Sequence, residues 1–322
     1  EMNIRDWSSD VCSSDLISAA GWVGFPGFVD AHVHLDKAHT WNRSPNRSGT
    51  FAEALEVLGR DKVNWTEADL KKRAGFALQS AYAYGSSALR SHVDTGYEGD
   101  ERTWSVLEEL ASQWSEQLTL QRVSLCMVAD YSGPNGKYLA DLPLKYGASA
   151  LGGMPLMSAS LPQELDRLLA LAAERGIGLD LHVDESGDPE ARCLQAIAEA
   201  VIRNAFPYPV LCGHCCSLAV QAPDQQKETL ARVKEAGLGI ISLPLCNLYL
   251  QDRRSGEAIT SDFPRSPRWR GLTLLRDFLN LGVPVACASD NVRDAFYAYG
   301  DLDMYEVFQY SLRLGHLDSE LE

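Results

Sequence analysis

Between residues 27 and 291 the chain repeats one alternation eight times: a short apolar or β-branched run, then an amphipathic segment that often closes on a glycine. The runs are 27–35, 86–94, 120–129, 150–155, 178–185, 209–217, 239–247 and 283–291. Strands separated by helix-length crossovers run parallel, because each crossover returns the chain to the same end of the sheet. The segment before the fifth run shows the local logic. Ser160 is placed to cap a helix, Pro162 suits its first turn, Leu165, Leu168, Leu169 and Ala172 share one apolar face, and Gly176 ends it. Gly85, Gly147, Gly237 and Gly282 are similar stops before the second, fourth, seventh and eighth runs. Eight such units fit a closed (β/α)8 barrel, although a doubly wound open sheet shares the same local pattern.

A length of 322 residues with 45% hydrophobic content supplies a core of that size. The formal charge of −15 argues against nucleic acid or an anionic membrane surface, both of which need a basic face. No apolar run approaches the ~18 residues of a membrane span and no secretory leader is visible, so the expected setting is cytoplasmic. Cys126, Cys212, Cys215, Cys216, Cys246 and Cys287 sit in or beside apolar runs and read as small buried hydrophobes. Cys212-Gly-His-Cys215-Cys216 has no second ligand pair at the spacing of a structural zinc site. Residues 1–16 show neither periodicity, repeat Ser-Ser-Asp and are expected to be a non-native or disordered leader, leaving 17–322 for the barrel.

A parallel barrel collects its chemistry at the carboxyl ends of its strands. Five of the seven histidines fall there: His32 and His34 near the end of the first run, then His92, His182 and His214 in the second, fifth and sixth. Asp94, Asp184, Glu185 and Asp290 follow the same rule, while His39 and His316 lie elsewhere. The spacing His32-Val33-His34 turns both imidazoles to one strand face, where a shared cation would offset the cost of burying them.

Five segments resemble the amidohydrolase superfamily, and within it the cytosine deaminase-like branch: 28–36 (Phe-Val-Asp-Ala-His-Val-His-Leu-Asp), 90–94 (Arg-Ser-His-Val-Asp), 181–185 (Leu-His-Val-Asp-Glu), Gly213-His214 and 288–291 (Ala-Ser-Asp-Asn). The loop segments 247–253 (Asn-Leu-Tyr-Leu-Gln-Asp-Arg) and 294–297 (Asp-Ala-Phe-Tyr) extend the match, which covers roughly 22–322. The resemblance implies a (β/α)8 barrel with one divalent metal ion, Zn²⁺ or Fe²⁺, held by His32, His34, His182 and Asp290. Binuclear relatives add a lysine after strand 4, and 152–156 reads Gly-Gly-Met-Pro-Leu.

The resemblance further implies hydrolytic deamination of a nucleobase or similar amino-heterocycle. His214 and Asp290 would hold and deprotonate the attacking water, and Glu185 would protonate the ring nitrogen and the departing ammonia. Asn291, Phe296 and Gln251 are the expected substrate contacts, with Arg253 beside Gln251 for a polar edge or a neighbouring subunit. His92 and Asp94 are expected to orient the metal ligands or to pair with one another. Cytosine-binding relatives carry a glutamine after strand 3, whereas 128–132 reads Val-Ala-Asp-Tyr-Ser, so the substrate stays open. A different deaminase fold is excluded, because His-x-Glu followed by Pro-Cys-x-x-Cys does not occur. Hydrolysis of a cyclic amide or amidine, and a truncated inactive barrel, are the alternatives. The family's flanking β-sandwich is largely absent from the sequence, which reads as a gene fragment, and a homo-oligomer is expected by resemblance.

Overall fold

The computed structural model describes residues 21, 24–253 and 265–318, so the expected leader at 1–16 lies outside the described residues. The strands are β1 (Phe28–Val33), β2 (Ser86–Asp94), β3 (Thr119–Leu125), β4 (Ala150–Gly153), β5 (Gly178–Val183), β6 (Val210–His214), β7 (Gly239–Ser242) and β8 (Val285–Cys287). They pair in parallel in sequence order as one eight-stranded sheet. The first and last strands meet through a parallel bridge between Val33 and Asp290, with Asp290 N donating to the His32 carbonyl at 2.9 Å. The Asp30 carboxylate reinforces that seam by accepting from Ser289 N at 3.1 Å and Ser289 Oγ at 2.5 Å. This is a nearly closed (β/α)8 barrel, and the open-sheet alternative falls away.

The helices are α1 (Phe51–Asp61), α2 (Glu67–Ala83), α3 (Asp100–Gln113), α4 (Gly136–Lys145), α5 (Leu161–Glu174), α6 (Cys193–Arg203), α7 (Pro223–Ala236), α8 (Pro244–Leu250), α9 (Leu275–Asn280) and α10 (Met304–Leu314). The predicted apolar face of α5 is buried, and Leu168 and Ala172 are wholly inaccessible. Each such leucine contributes about 1.5–3 kcal/mol of transfer free energy. Ser160 does precede α5, but its backbone is helical (φ −92°, ψ −8°) and its hydroxyl donates to Glu164 Oε1 at 2.6 Å instead of capping an N–H. Two cores insulate the barrel: α5, α6 and α7 against β4 to β7, and α2 and α3 against β1 to β3.

The strands are shorter than the apolar runs that announce them. The run 239–247 divides into β7 and α8, and the run 283–291 keeps only Val285–Cys287 as strand. Residues 243–247 and 288–291 are buried without being strand, a distinction that hydrophobicity does not carry. Within β4, neighbouring backbone forbids a side chain at Gly152. A Cβ on Gly152 would lie 2.2 Å from the Ser124 carbonyl oxygen and 2.6 Å from that of Asp180.

Candidate active site

At the carboxyl end of the barrel His32 and His34 from β1 meet His182 from β5 and Asp290 just beyond β8. His32 Nε2 stands 3.0 Å from His182 Nε2, and His182 Nε2 stands 3.2 Å from His34 Nε2. Asp290 Oδ1 is 3.3 Å from His34 Nε2 and 3.8 Å from His32 Nε2. All four side chains are buried, and neither Asp290 oxygen has a hydrogen-bond partner among the described residues. Burial, and the mutual repulsion of the rings, hold His32, His34 and His182 well below the usual imidazole range, so their nitrogens are neutral. Burial likewise lifts the Asp290 carboxyl to about 7. Neutral lone pairs converging on an orphaned carboxylate are costly by themselves and match the donor set of a borderline divalent cation. The residues therefore fit the metal that the motifs imply.

Backbone geometry at this rim is unusual. Asp184, His214 and Asp290, at the ends of three different strands, have φ of +48°, +67° and +70°. Non-glycine residues rarely adopt this region, and each instance costs on the order of 1–3 kcal/mol unless its surroundings impose it. The turns redirect the chain at the points where side chains enter the cavity. Asp184 uses its turn to cap α6, its carboxylate accepting from Cys193 N at 3.0 Å and Leu194 N at 2.9 Å. Glu185 is thereby left to face the centre.

Glu185 and His214 are joined by Asn247, a residue to which the sequence pattern assigns no role. Asn247 Nδ2, on α8, donates to Glu185 Oε1 at 3.1 Å and lies 3.0 Å from His214 Nδ1. An amide NH₂ only donates, so His214 Nδ1 accepts and its proton sits on Nε2, which has no partner among the described residues. Burial lowers His214 to about 3 and raises Glu185 well above the carboxylate range, with the nearby Asp290 charge adding to the latter. Asn247 belonged to the recognised segment 247–253, but no periodicity marks which of its polar residues turns inward.

A cavity of about 330 Å³ opens beside these groups, lined by His34, His182, Glu185, His214 and Asp290 together with Phe51, Leu55 and Leu58 of α1, Met127 and Met154. Asn291 and Phe296 line it as well. Asn291 Nδ2 donates to Asp294 Oδ2 at 2.8 Å, and Asp294 Oδ1 accepts from Phe296 N at 2.8 Å, which fixes the aromatic ring. Gln251, expected at the substrate, is set back from this cavity because its amide donates to the Glu185 carbonyl at 3.2 Å. Arg253 also lies elsewhere, its guanidinium carbon 4.1 Å over the Tyr249 ring.

The expected pairing of His92 with Asp94 is not formed. Asp94 is taken by Lys37 at 2.7 Å and Lys62 at 2.8 Å, while the His92 ring lies tilted against His32 with centroids 4.0 Å apart. The nearest carboxylate to His92 is Asp180, 3.6 Å away and held by Arg90 at 2.8 Å. The cysteines among the described residues are all unpaired, and no described helix is long and apolar enough to cross a membrane.

Residues 94–321 match the Amidohydrolase family. The chain belongs to that family. The pterin deaminase of Rhizobium rhizogenes (strain K84 / ATCC BAA-868) is 42% identical over 317 residues, spanning 98% of this chain and 70% of that protein. The N-isopropylammelide isopropyl amidohydrolase of Pseudomonas sp. (strain ADP) is 23% identical over 303 residues, 91% of this chain and 69% of that one. Among solved structures, 5-methylcytosine deaminase from Klebsiella pneumoniae liganded with 5-fluorocytosine superposes with a TM-score of 0.80 at 25% identity, covering 92% of this chain and 70% of that one. This amidohydrolase is a hydrolase acting on carbon–nitrogen bonds other than peptide bonds, and its reaction class is hydrolytic deamination of an amino-heterocycle.

Proposed function

We propose that the substrate is a two-ring, pterin-like amino-heterocycle, and that one zinc or iron ion is held by His32, His34, His182 and Asp290. The observation that carries this reading is the convergence of those donors beside Glu185 and His214 in a cavity of about 330 Å³, a volume suited to a small planar ligand. The relative at 42% identity supports the pterin-like class over a single-ring pyrimidine. A bound divalent ion would supply Lewis acidity, lowering the pKa of water from about 15.7 toward ~7.

The chain's own groups divide the remaining work. Glu185 carries its proton on the oxygen that Asn247 leaves free and delivers it to the ring nitrogen; the proton that Asp290 takes from the attacking water passes to the departing amine, and the second water proton returns to Glu185 as the carbonyl forms. Asp290 accepts the proton of the attacking water. His214, with Nδ1 accepting from Asn247, presents Nε2–H and orients the attacking oxygen as a hydrogen-bond donor, in place of the base role implied by resemblance. Phe296 offers a stacking face, and the apolar wall of α1 excludes water. The net charge of −15 supports a small-molecule partner over nucleic acid.

The test is ammonia release from 2-amino-4-oxopteridine and from 5-methylcytosine on metal-loaded protein. Release from the pteridine with at least ~10-fold higher kcat/KM is expected. Preference for the pyrimidine, or no release from either, would overturn the reading.

A further inference from the structure

Lys37, three residues beyond His34, is 3% exposed and lines the cavity. Its ammonium carries three donors, and one goes to Asp94 Oδ1 at 2.7 Å. No other acceptor takes the remaining two among the described residues. Asp94 is itself shared, since Lys62 Nζ reaches its second oxygen at 2.8 Å while lying 4.2 Å over the Tyr97 ring. Asp36, the neighbouring carboxylate, is occupied by backbone groups, accepting from Lys37 N at 2.8 Å and Asp94 N at 2.8 Å. Two ammonium groups thus share one carboxylate at the wall of the cavity. Lys37 Nζ is also 5.6 Å from the centroid of Phe296, the ring placed to stack on a planar substrate. A charged donor that is nine-tenths buried and only partly satisfied is poised for an acceptor from outside the protein.

We propose that Lys37, flanked by Lys62, is the specificity-determining residue of the cavity: its ammonium donates to an oxo group or deprotonated ring nitrogen on an edge of the heterocycle that the histidine centre does not engage. This rests on the deaminase reading above. A ring that presents hydrogen or an N–H at this wall leaves a buried ammonium unpaired or meets it donor to donor. Such a ring is rejected. A purely structural Lys37, serving only as the counterion of Asp94, would affect stability without affecting this choice.

The experiment compares 2-amino-4-oxopteridine with 2-aminopteridine, which lacks the oxo acceptor, on the metal-loaded full chain, the Lys37→Met variant and the Lys62→Met variant. Ammonia release and calorimetric binding are both read. Wild type is expected to prefer the oxo compound by about 10- to 100-fold, chiefly in KM and Kd. Lys37→Met should bring the two compounds to within about 3-fold by weakening the oxo compound alone, with metal content unchanged, and Lys62→Met should narrow the gap less. Should Lys37→Met fail to fold, the wild-type preference and the response of the partly exposed Lys62 decide the matter. Equal wild-type affinity for the two compounds, an unaltered preference in both variants, or an equal loss on both compounds would overturn the proposal. Lys37-dependent binding of the oxo compound without ammonia release would instead sustain this proposal and overturn the reading of a pterin-like compound as the substrate.

Discussion

Two buried polar clusters on the same chain are built on opposite terms. Around Asp61 at the end of α1, both carboxylate oxygens are answered: they accept from Arg43 Nε and Nη2 at 2.8 Å each, from Ser44 Oγ at 2.6 Å and from Trp65 Nε1 at 2.9 Å. Arg43 also reaches Asp69, which Arg73 holds in turn at 2.8 Å. Around Asp290 the reverse holds, with both carboxylate oxygens, the outer nitrogens of His32, His34 and His182, and His214 Nε2 unanswered among the described residues. A satisfied cluster closes on itself and stabilises the fold. An unsatisfied one keeps its free energy for something that arrives.

Damage to the two clusters should separate activity from stability. The largest effect is expected at the metal ligands. His182→Ala should drop metal content below about one-tenth of an ion per chain and abolish ammonia release, while the far-ultraviolet circular dichroism spectrum is retained. Metal stoichiometry near one in that variant would break the contrast. Glu185→Gln comes next, with kcat expected to fall ~10²- to 10⁴-fold at unchanged metal content, measured by steady-state ammonia release alongside metal analysis. Asn247→Ala should cost about 10- to 100-fold in kcat by freeing the His214 tautomer and the Glu185 carboxyl, again without metal loss.

The smallest effect on activity should come from the satisfied cluster. Asp61→Asn is expected to lower stability by about 1–3 kcal/mol and leave kcat/KM within about twofold, as read from urea midpoints and assays at 25 °C. Its pH dependence has a definite sign. Despite its burial, hydrogen bonds from Arg43, Ser44 and Trp65 hold the Asp61 carboxyl down at about 2 against an ordinary 3.8. The advantage of wild type over Asp61→Asn should therefore be complete above the ordinary value and fade as pH falls through about 2. An advantage that grows on acidification would contradict this.

Much of the site could be read from the strand-end residues. His32 and His34 were legible because a strand period turns alternate residues to one face, His182 and Asp290 stood among the strand-end candidates of a parallel barrel, and the family resemblance singled these four out. Asn247 and Lys37 were not. Each stands in a segment with several polar residues, and which one faces inward depends on how α8 and the loop after β1 fold over the rim. Gln251 and Asp94 illustrate the same limit from the other side. Their types suit a substrate or a histidine, and the structure gives them instead to the Glu185 carbonyl and to a pair of lysines.

The sequence by itself determined the order of strands and helices, the parallel sense of the sheet and the rim on which the histidines fall, because those follow from local periodicity. Tertiary structure alone decided that the sheet closes through Asp30, Ser289 and Asp290, that Gly152 excludes a side chain at strand 4, and that the rim turns at Asp184, His214 and Asp290 are left-handed. It alone decided which buried polar atoms are answered and which are left for a ligand. Hydrogen-bond satisfaction is a property of distances between residues as far apart in sequence as Asp30 and Ser289, and no local pattern encodes it.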